Sequence, residues 1–387
     1  MEISGAQMVI EALKEENVDV VFGYPGGAIM NVYDEIYKQD SFEHVLNRHE
    51  QASIHAAEGY AKVTGKVGVA MVTSGPGFTN AVTGLADAYM DSVPLVVISG
   101  QVPMTLIGTD AFQEIDAVGI SRSCTKHNYL VTDAKDLPRI LKEAFYLAAS
   151  GRPGPVHVDI PKDVTAQIAT FDYPDDVNLE TYKPTLKGNM RQIKKAVDAI
   201  SKAKKPLFYL GGGVKASDAV ELVREMAAFT EIPAVETFNA RGTLGAEHPS
   251  LLSMVGMHGS YAANMAMSEC DCLISFGPRF DDRVTGKLSE FAKYAKIIHV
   301  DIDPSSIGKL VDVDFPIVGD LKHVIEDMMP LVKAEVDAKN YQTWRETVKR
   351  YDELHPLGYQ ESKTGTIKPQ WVIERIGEIL GDDANIS

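Results

Sequence analysis

Along this chain, short apolar runs give way to glycine-rich turns and then to stretches whose apolar positions recur every three or four residues. The segments VDVVFGYPGGAIMNVYDEIY, VGVAMVTSGPGFTNAVTGLADAY and PLFYLGGGVKASDAVELVREM all carry that order. Strand, tight turn and amphipathic helix in repetition predict an α/β protein of parallel sheets wound with helices. Ligands of such sheets bind outside the carboxyl ends of the strands, so the glycine turns are where chemistry is expected.

The segment RHEQASIHAAEGYAKVTG, residues 48–65, reads as a helix that Gly65 closes. Asn47 followed by Glu50 has the spacing of a capping box at its start. Ala52, Ala56 and Tyr60, and Ser53, Ala57 and Ala61, recur every four residues. Side chains that small let another helix approach closely, which leaves Glu50 beside a tight packing surface.

The pattern breaks twice. Residues 171–188, FDYPDDVNLETYKPTLKG, are polar and aperiodic and read as a linker. Residues 336–366, following the helix LKHVIEDMMPLVKAEV, read as a partly helical connector. The expected organisation is therefore a first domain over 1–170 and a second over 189–335. Residues 367–387 would open a third, with Val372, Ile376 and Ile379 on one helical face.

Length and composition agree, since 387 residues with 45% apolar content suffice for two substantial cores. A formal charge of -16 without basic clusters argues against nucleic-acid and anionic-membrane partners. No apolar run reaches the roughly 18 residues of a membrane span, and the acidic, amphipathic start MEISGAQMVIEALKEENV is unlike a secretory leader; a cytoplasmic protein is expected. Cys124, Cys270 and Cys272 are too few for a disulfide framework or a zinc site and read as small buried hydrophobes.

The TGK tripeptides at 64–66 and 285–287 lack the rest of a phosphate loop, and neither G-x-S-x-G nor H-E-x-x-H occurs. Gly211, Gly212 and Gly213, followed by Val214, Lys215 and Ala216, satisfy G-x-G-x-x-A between a strand and a helix, which suits a diphosphate or a plain tight turn equally. Arg279 and Arg283 follow a strand, as do Asp301 and Asp303. Arginine suits a phosphate or an anionic substrate and a strand-end aspartate suits a ribose hydroxyl, although surface pairing among Arg279, Asp281, Asp282 and Arg283 would look the same. In the first half, GYPGG at 23–27 and SGPG at 74–77 flank Glu50 in sequence, and the three could face one crevice.

The blocks FGYPGGAIMNVYDEI, RHEQASIHAAEGYAKVTGKVGV, TSGPGFTNAVTGLADAYMDSVPLVVISGQVP, IGTDAFQE, GRPGPVHVDIPKDV, GMHG and FGPRFDDRVTGK, in this order, closely resemble the catalytic large subunit of acetohydroxyacid (acetolactate) synthases. These are thiamine-diphosphate enzymes of branched-chain amino-acid synthesis. The resemblance spans the whole chain and is weakest at FNARGTLGAEHP, residues 238–249. It implies a pyrimidine-type thiamine-diphosphate domain, then a Rossmann-like FAD-binding domain, and decarboxylation of pyruvate with transfer to a second 2-keto acid, pyruvate or 2-ketobutyrate.

By that resemblance Glu50 bonds N1′ of the cofactor's aminopyrimidine and favours its imino tautomer, a proton-transfer role that suits a carboxyl group withdrawn from water. Tyr24, Pro25, Gly26 and Gly27 line the cofactor pocket, with Gly27 near the reacting centre. Phe112 and Gln113 contact substrate and intermediate, Lys162 lies near the entrance, and Arg279 receives the second keto acid. Arg152, Met257, His258, Gly259, Arg279, Asp281, Arg283, Asp301 and Asp320, with the glycines at 211–213, surround a structural FAD. The family also implies a homodimer with its active site at the subunit interface and a possible small regulatory subunit.

The family holds Mg2+ and the cofactor diphosphate with a GDG-to-Asn motif in a third domain. GDL at 319–321 and GDD at 381–383 do not supply it, so no metal ligand is expected within these residues and the chain alone is expected to be incomplete for catalysis. Pyruvate decarboxylases carry adjacent histidines absent here, glyoxylate carboligase has an aliphatic residue in place of Glu50, and flavin-free acetolactate synthases lack the RFDDRVTG block. The alternatives are a flavin-dependent pyruvate oxidase or a non-catalytic flavin-binding dimerisation module.

Overall fold

The computed structural model describes residues 1–360, 362 and 364–381, which form two compact units divided between Leu186 and Lys187. The first begins with β1 (Glu2–Ser4) and α1 (Gly5–Glu15), the helix started by a reciprocal capping box between Ser4 and Gln7. There follow β2 (Val20–Gly23), α2 (Met30–Tyr37), β3 (Glu43–Leu46), α3 (Glu50–Thr64), β4 (Gly68–Val72), α4 (Pro76–Asp91) and β5 (Leu95–Gln101). The unit continues with α5 (Ala117–Ser121), β6 (His127–Leu130), α6 (Leu137–Ala149), β7 (Pro155–Pro161), α7 (Lys162–Ala166) and β8 (Ile168–Thr170). Six strands make one parallel sheet in the order β3-β2-β4-β5-β7-β6, and β8 returns to pair antiparallel with β1.

The central strands β4, β5 and β7 are buried along their whole length. Sheets covered by helices on both faces need such continuous apolar runs. On one face Met71, Val96, Ile98 and Val158 meet α1 and α6; on the other Ala70, Val72 and Val97 meet α3 and α4. The small-residue expectation for α3 is met on its Ser53, Ala57 and Ala61 side, which is buried. The approach is closest at Gly84 of α4, where a Cβ would lie 2.6 Å from Cβ of Ile54. Ala52 and Gly59 face outward. Gly65 caps α3 in the left-handed conformation at φ 73°.

The second unit contains α8 (Met190–Lys202), β9 (Pro206–Leu210), α9 (Gly213–Ala216), α10 (Val220–Thr230), β10 (Ala234–Glu236), β11 (Leu251–Met254) and α11 (Tyr261–Glu269). It continues through β12 (Cys272–Phe276), α12 (Asp282–Thr285), β13 (Lys296–Asp301), β14 (Phe315–Val318), α13 (Leu321–Glu335), α14 (Gln342–Leu354) and α15 (Pro369–Leu380). Its six strands are all parallel, in the order β11-β10-β9-β12-β13-β14.

The structure draws the edges of these units differently from the sequence pattern. Phe171, Tyr173, Leu179 and Tyr182, in the stretch read as a linker, pack against the core of the first unit. In the stretch read as a connector, Tyr341, Trp344 and Val348 are buried in the second, where Tyr341 donates to the Ile200 carbonyl at 2.7 Å and Trp344 to the Pro206 carbonyl at 3.0 Å. In the first stretch the aromatics carry no helical period; in the second Tyr341, Trp344, Val348 and Tyr351 do recur every three or four residues, but so few apolar positions in a strongly polar background hid the buried face. Helix α15 forms as predicted and buries none of its residues. Gly381 follows it, while Asp382 and Asp383 of the GDD run lie outside the described residues. The cysteines are all buried, and burial raises each thiol pKa, that of Cys272 to about 12.

Candidate active site

The first sheet reverses its direction of winding between β2 and β4, because β3 lies on one side of β2 while β4, β5 and β7 follow on the other. Loops leaving the carboxyl ends of β2 and β4 therefore border one crevice. They are pressed together: a Cβ at Gly26 would lie 2.5 Å from the Thr73 side chain, and Thr73 Oγ1 accepts the Ala28 N–H at 3.3 Å. On the other side Gly100 at the end of β5 leaves room for the backbone of Ala28 and Ile29 and for no side chain of its own, with a Cβ only 2.8 Å from them. Only glycine allows such approaches. Gly27 differs, since a Cβ there would meet nothing within 4 Å, and Tyr24 is exposed.

Glu50 arrives from β3 as the first residue of α3. The capping box expected from Asn47 and Glu50 is not formed. The Asn47 N–H extends the pairing of β3 by bonding the Gly23 carbonyl at 3.1 Å, so Asn47 belongs to the strand edge. His49, at an extended φ of -156°, caps the helix by accepting the Gln51 N–H at 3.1 Å. Glu50 is thereby released from capping. It is buried, and its Oε2 accepts a 2.9 Å hydrogen bond from Nδ2 of Asn80, one turn into α4. Oε1 takes no hydrogen bond from the described residues. A Cβ at Gly77 would lie 2.6 Å from Thr73 Cγ2, so it is Thr73 that requires glycine there, and 3.4 Å from that oxygen, an ordinary van der Waals contact. Burial and the Glu50 charge both push the Tyr33 hydroxyl pKa up; that hydroxyl lies 3.2 Å from His44 Nε2, and burial lowers the His44 pKa.

The chain that leaves β5 folds back on the same spot. Gln113 has a left-handed φ of 58° and presses on Gly75, where a Cβ would meet the Gln113 carbonyl oxygen at 2.5 Å. Phe112 beside it is 87% exposed. Tyr24, Pro25, Gly26, Gly27, Glu50 and Gln113 thus come from β2, β3 and β5 to one edge of the sheet. Lys162 opens α7 at the end of β7 on that same edge, its carbonyl 3.5 Å from Asn31 Nδ2. Asn80 and Thr73 were not singled out by pattern, and Gly77 only as the last residue of the turn at 74–77. SGPG was the one visible sign of them, and it shows the turn but not its partner 30 positions away.

In the second unit the reversal falls between β9 and β12. A Cβ at Gly211 would lie 2.4 Å from the Gly277 carbonyl and Pro278, and one at Gly213 would lie 2.8 Å from Gly277 Cα. Two of the three glycines therefore serve the crossing of neighbouring loops; a Cβ at Gly212 would meet no backbone and make one tight contact, with Asn239 Cβ at 3.2 Å. Arg279 pairs with Asp281 at 2.6 Å, and the Arg283 N–H together with the Arg279 guanidinium lowers the Asp281 pKa. Met257 and His258 are exposed, with the Met257 N–H on the Arg283 carbonyl at 2.8 Å, and Gly259 packs against Met254 and Val255. Asp301 accepts the Asp303 N–H at 2.9 Å, and Asp320 caps α13 through the His323 N–H. Arg152 belongs to the first unit, where its Nε donates to Ser92 at 2.8 Å.

Among the described residues one group has metal-ligand spacing, His55, Glu58 and Asp87, and the Lys62 ammonium already lies 2.8 Å from Glu58. No described helix is long and apolar enough to cross a membrane.

Residues 3–120 match the family described as thiamine pyrophosphate enzyme, N-terminal TPP binding domain, and residues 193–328 match thiamine pyrophosphate enzyme, central domain. The chain is 50% identical over 388 residues to an acetolactate synthase large subunit of Mycobacterium tuberculosis, a match that covers 99% of this chain and 62% of that relative. It is 48% identical to the acetolactate synthase large subunit of Corynebacterium glutamicum, covering 99% and 61%. With the acetolactate synthase isozyme 3 large subunit of Escherichia coli it shares 45% identity over 100% of this chain and 68% of the relative. The chain thus spans somewhat more than three fifths of the length of the relatives it matches.

Proposed function

We propose that this chain, which belongs to the acetolactate synthase large-subunit family, contributes the proton-transfer half of a carboligase site that decarboxylates pyruvate and joins the product to a second 2-keto acid. The observation that carries this reading is Glu50: a buried carboxylate with Oε2 held by Asn80 and Oε1 unclaimed among the described residues, at the β2/β4 edge where ligands of such sheets bind. That donor set fits the aminopyrimidine of thiamine diphosphate, a planar ring whose nitrogens pair with a fixed carboxyl group. When bound, thiamine diphosphate supplies a carbon acid that adds to a keto-acid carbonyl and accepts the electron pair released with carbon dioxide.

The remaining work falls to side chains of this chain. Glu50 Oε1 would hold or release a proton towards a nitrogen of the bound ring, and Asn80 keeps the carboxyl group from rotating away. Gly27 leaves space for a reacting carbon, Gln113 offers its amide to the substrate, and Phe112 offers apolar surface to a methyl group. Lys162 attracts the keto-acid carboxylates. In this reading Glu50 completes a site shared with a second copy, the diphosphate and Mg2+ are held by residues outside the 387 described by this sequence, and a small subunit accompanies the assembly, in keeping with the large-subunit names of the relatives. A flavin would lie at the β9/β12 edge against Gly212, Met257, Arg279 and Arg283, without electron transfer.

The test is acetolactate formation from pyruvate with thiamine diphosphate and Mg2+, by the chain alone and joined by a polypeptide covering the rest of the relatives' length. Glu50→Gln should lower the rate by about a hundredfold or more, with pyruvate affinity little changed. Full activity in Glu50→Gln would overturn the reading.

A further inference from the structure

Beneath this edge lies a buried polar cluster that the proposed chemistry does not use. Ser99 and Gln101 of β5 and His157 and Asp159 of β7 point to the same face of the sheet, with Ser99 paired directly to Asp159 in register. All four are at most 3% exposed. Ser99 donates to Asp159 Oδ1 at 2.5 Å and lies 2.7 Å from His157 Nε2, and Ser121 of α5 lies 2.9 Å from His157 Nδ1. Asn128 of β6 donates to Ser121 at 2.9 Å. Phe78 of the first turn of α4 stacks on the His157 ring at 4.4 Å.

Gln101 connects this cluster to the loop that carries Phe112 and Gln113. Its Oε1 accepts the N–H of Val102, where the loop leaves β5, at 2.8 Å. Its Nε2 donates to the carbonyl of Ile115, where the loop returns, at 2.9 Å, and to Asp159 Oδ2 at 3.0 Å. An amide can turn over and exchange its oxygen with its nitrogen. An ionised carboxylate only accepts, so it fixes which end faces it; turned over, Gln101 would set oxygen against oxygen at Asp159 and at Ile115, and nitrogen against the Val102 N–H.

We propose that Asp159 is a positioning residue for the substrate loop: by fixing the Gln101 amide it closes residues 102–116 at both ends and keeps Gln113 seated on Gly75. This rests on the functional reading above, which places Phe112 and Gln113 at the substrate. The titratable groups around Asp159 are Asp116 at the head of α5 and His157, on its own strand and sharing the Ser99 hydroxyl with it; its hydrogen-bond partners are the uncharged Ser99 and Gln101 of β5, and the uncharged Ser121 of α5 and Asn128 of β6 stand beyond His157. Burial, with a contribution from Asp116, raises Asp159 to about 7, and burial lowers His157 to about 3, so His157 stays neutral while Asp159 gains its charge near neutrality. A charged acceptor holds an amide donor about twice as strongly as a neutral one.

Amide hydrogen exchange of the purified 387-residue chain, corrected for the intrinsic pH dependence, tests this. A loop opening that breaks the Gln101 bond while Asp159 stays buried between β5 and β7 is disfavoured by the charge. Protection of the hydrogen-bonded amides of Thr109, Glu114 and Ala117 should therefore increase about tenfold between about pH 6 and pH 8, while that of β5 and β7 does not rise. Asp159→Asn, which imitates the neutral acid, should hold the loop at its low-pH protection throughout, and Gln101→Leu should lower it further. Loop protection independent of pH in the unaltered chain would overturn the inference even if neither variant folds, as would exchange that rises equally through the whole sheet in Asp159→Asn. Carboligation in the assembled enzyme with an unresponsive loop would keep the function and sink this inference; a responsive loop without carboligation would do the reverse.

Discussion

Asn80 Nδ2 stands 2.9 Å from Glu50 Oε2, one turn inside α4, and is the hydrogen bond that gives the carboxylate a direction. Replacing Asn80 with Ala removes a donor to a charged acceptor, a bond of the stronger kind. The expected result is a drop of about tenfold in the rate of acetolactate formation by the assembled enzyme with little change in KM. Asn80→Asp should be worse, because two carboxylates side by side cannot both stay ionised cheaply. Steady-state kinetics of the two variants decide it, and rates equal to the unaltered enzyme would mean that Glu50 is oriented by something else.

The buried pair on β7 predicts an unusual pH response of stability. Asp159, raised to about 7 from an ordinary 3.8, contributes most below about pH 4 and loses that contribution as pH climbs to about 7. His157, lowered to about 3 from 6.5, contributes fully above about pH 6.5 and loses it as pH falls towards 3. Between about pH 4 and pH 6.5 the two slopes are opposite and cancel. Asp159→Asn removes one of them, so its unfolding free energy should rise with pH, relative to the unaltered chain, by about 1.4 kcal/mol per unit in that window. Urea titrations at three pH values would show a constant difference if the proton resides elsewhere.

How much of this was legible depended on how local the cause was. The alternation of strand, glycine turn and helix located the carboxyl edges, and Gly65 ended α3 as its position suggested. The start of α3 was misread because Asn47 stays in the β2–β3 pairing, a contact with a residue 24 positions earlier that no cap motif records. Gly211 and Gly213 fit a fingerprint while their reason for being glycine is the loop at Gly277. His157 and Asp159 showed only as two polar letters in the run VHVDIP, and what they bond to comes from β5, α5 and β6.

The glycine turn after β9 separates packing from binding. Gly211→Ala would force a Cβ to 2.4 Å from backbone atoms at 277–278 and should destabilise the second unit by about 2–3 kcal/mol. Gly212 has ordinary helical angles and only a side chain nearby, so Gly212→Ala should leave stability within about 1 kcal/mol. If the flavin reading holds, this second variant instead weakens FAD retention. Thermal melts together with the flavin absorbance of the purified proteins separate the two effects.

The thiols of Cys270 and Cys272 should resist alkylation in the native chain, since burial keeps both protonated and out of reach. Iodoacetamide labelling followed by mass spectrometry should find them modified only in denaturant. Rapid native labelling would show that the second unit opens on the timescale of the reaction.

The contact between Gly75 and Gln113 sets a rule for redesign. Two backbone stretches far apart in sequence, both with positive φ, fit each other so closely that neither can be lengthened or given a bulkier residue at this point without moving the other. Phe112, next in the chain, carries almost no such debt, being open to solvent over most of its surface. A library meant to change which keto acid is accepted would therefore vary position 112 and keep Gly75 and the backbone at 113 as a fixed frame.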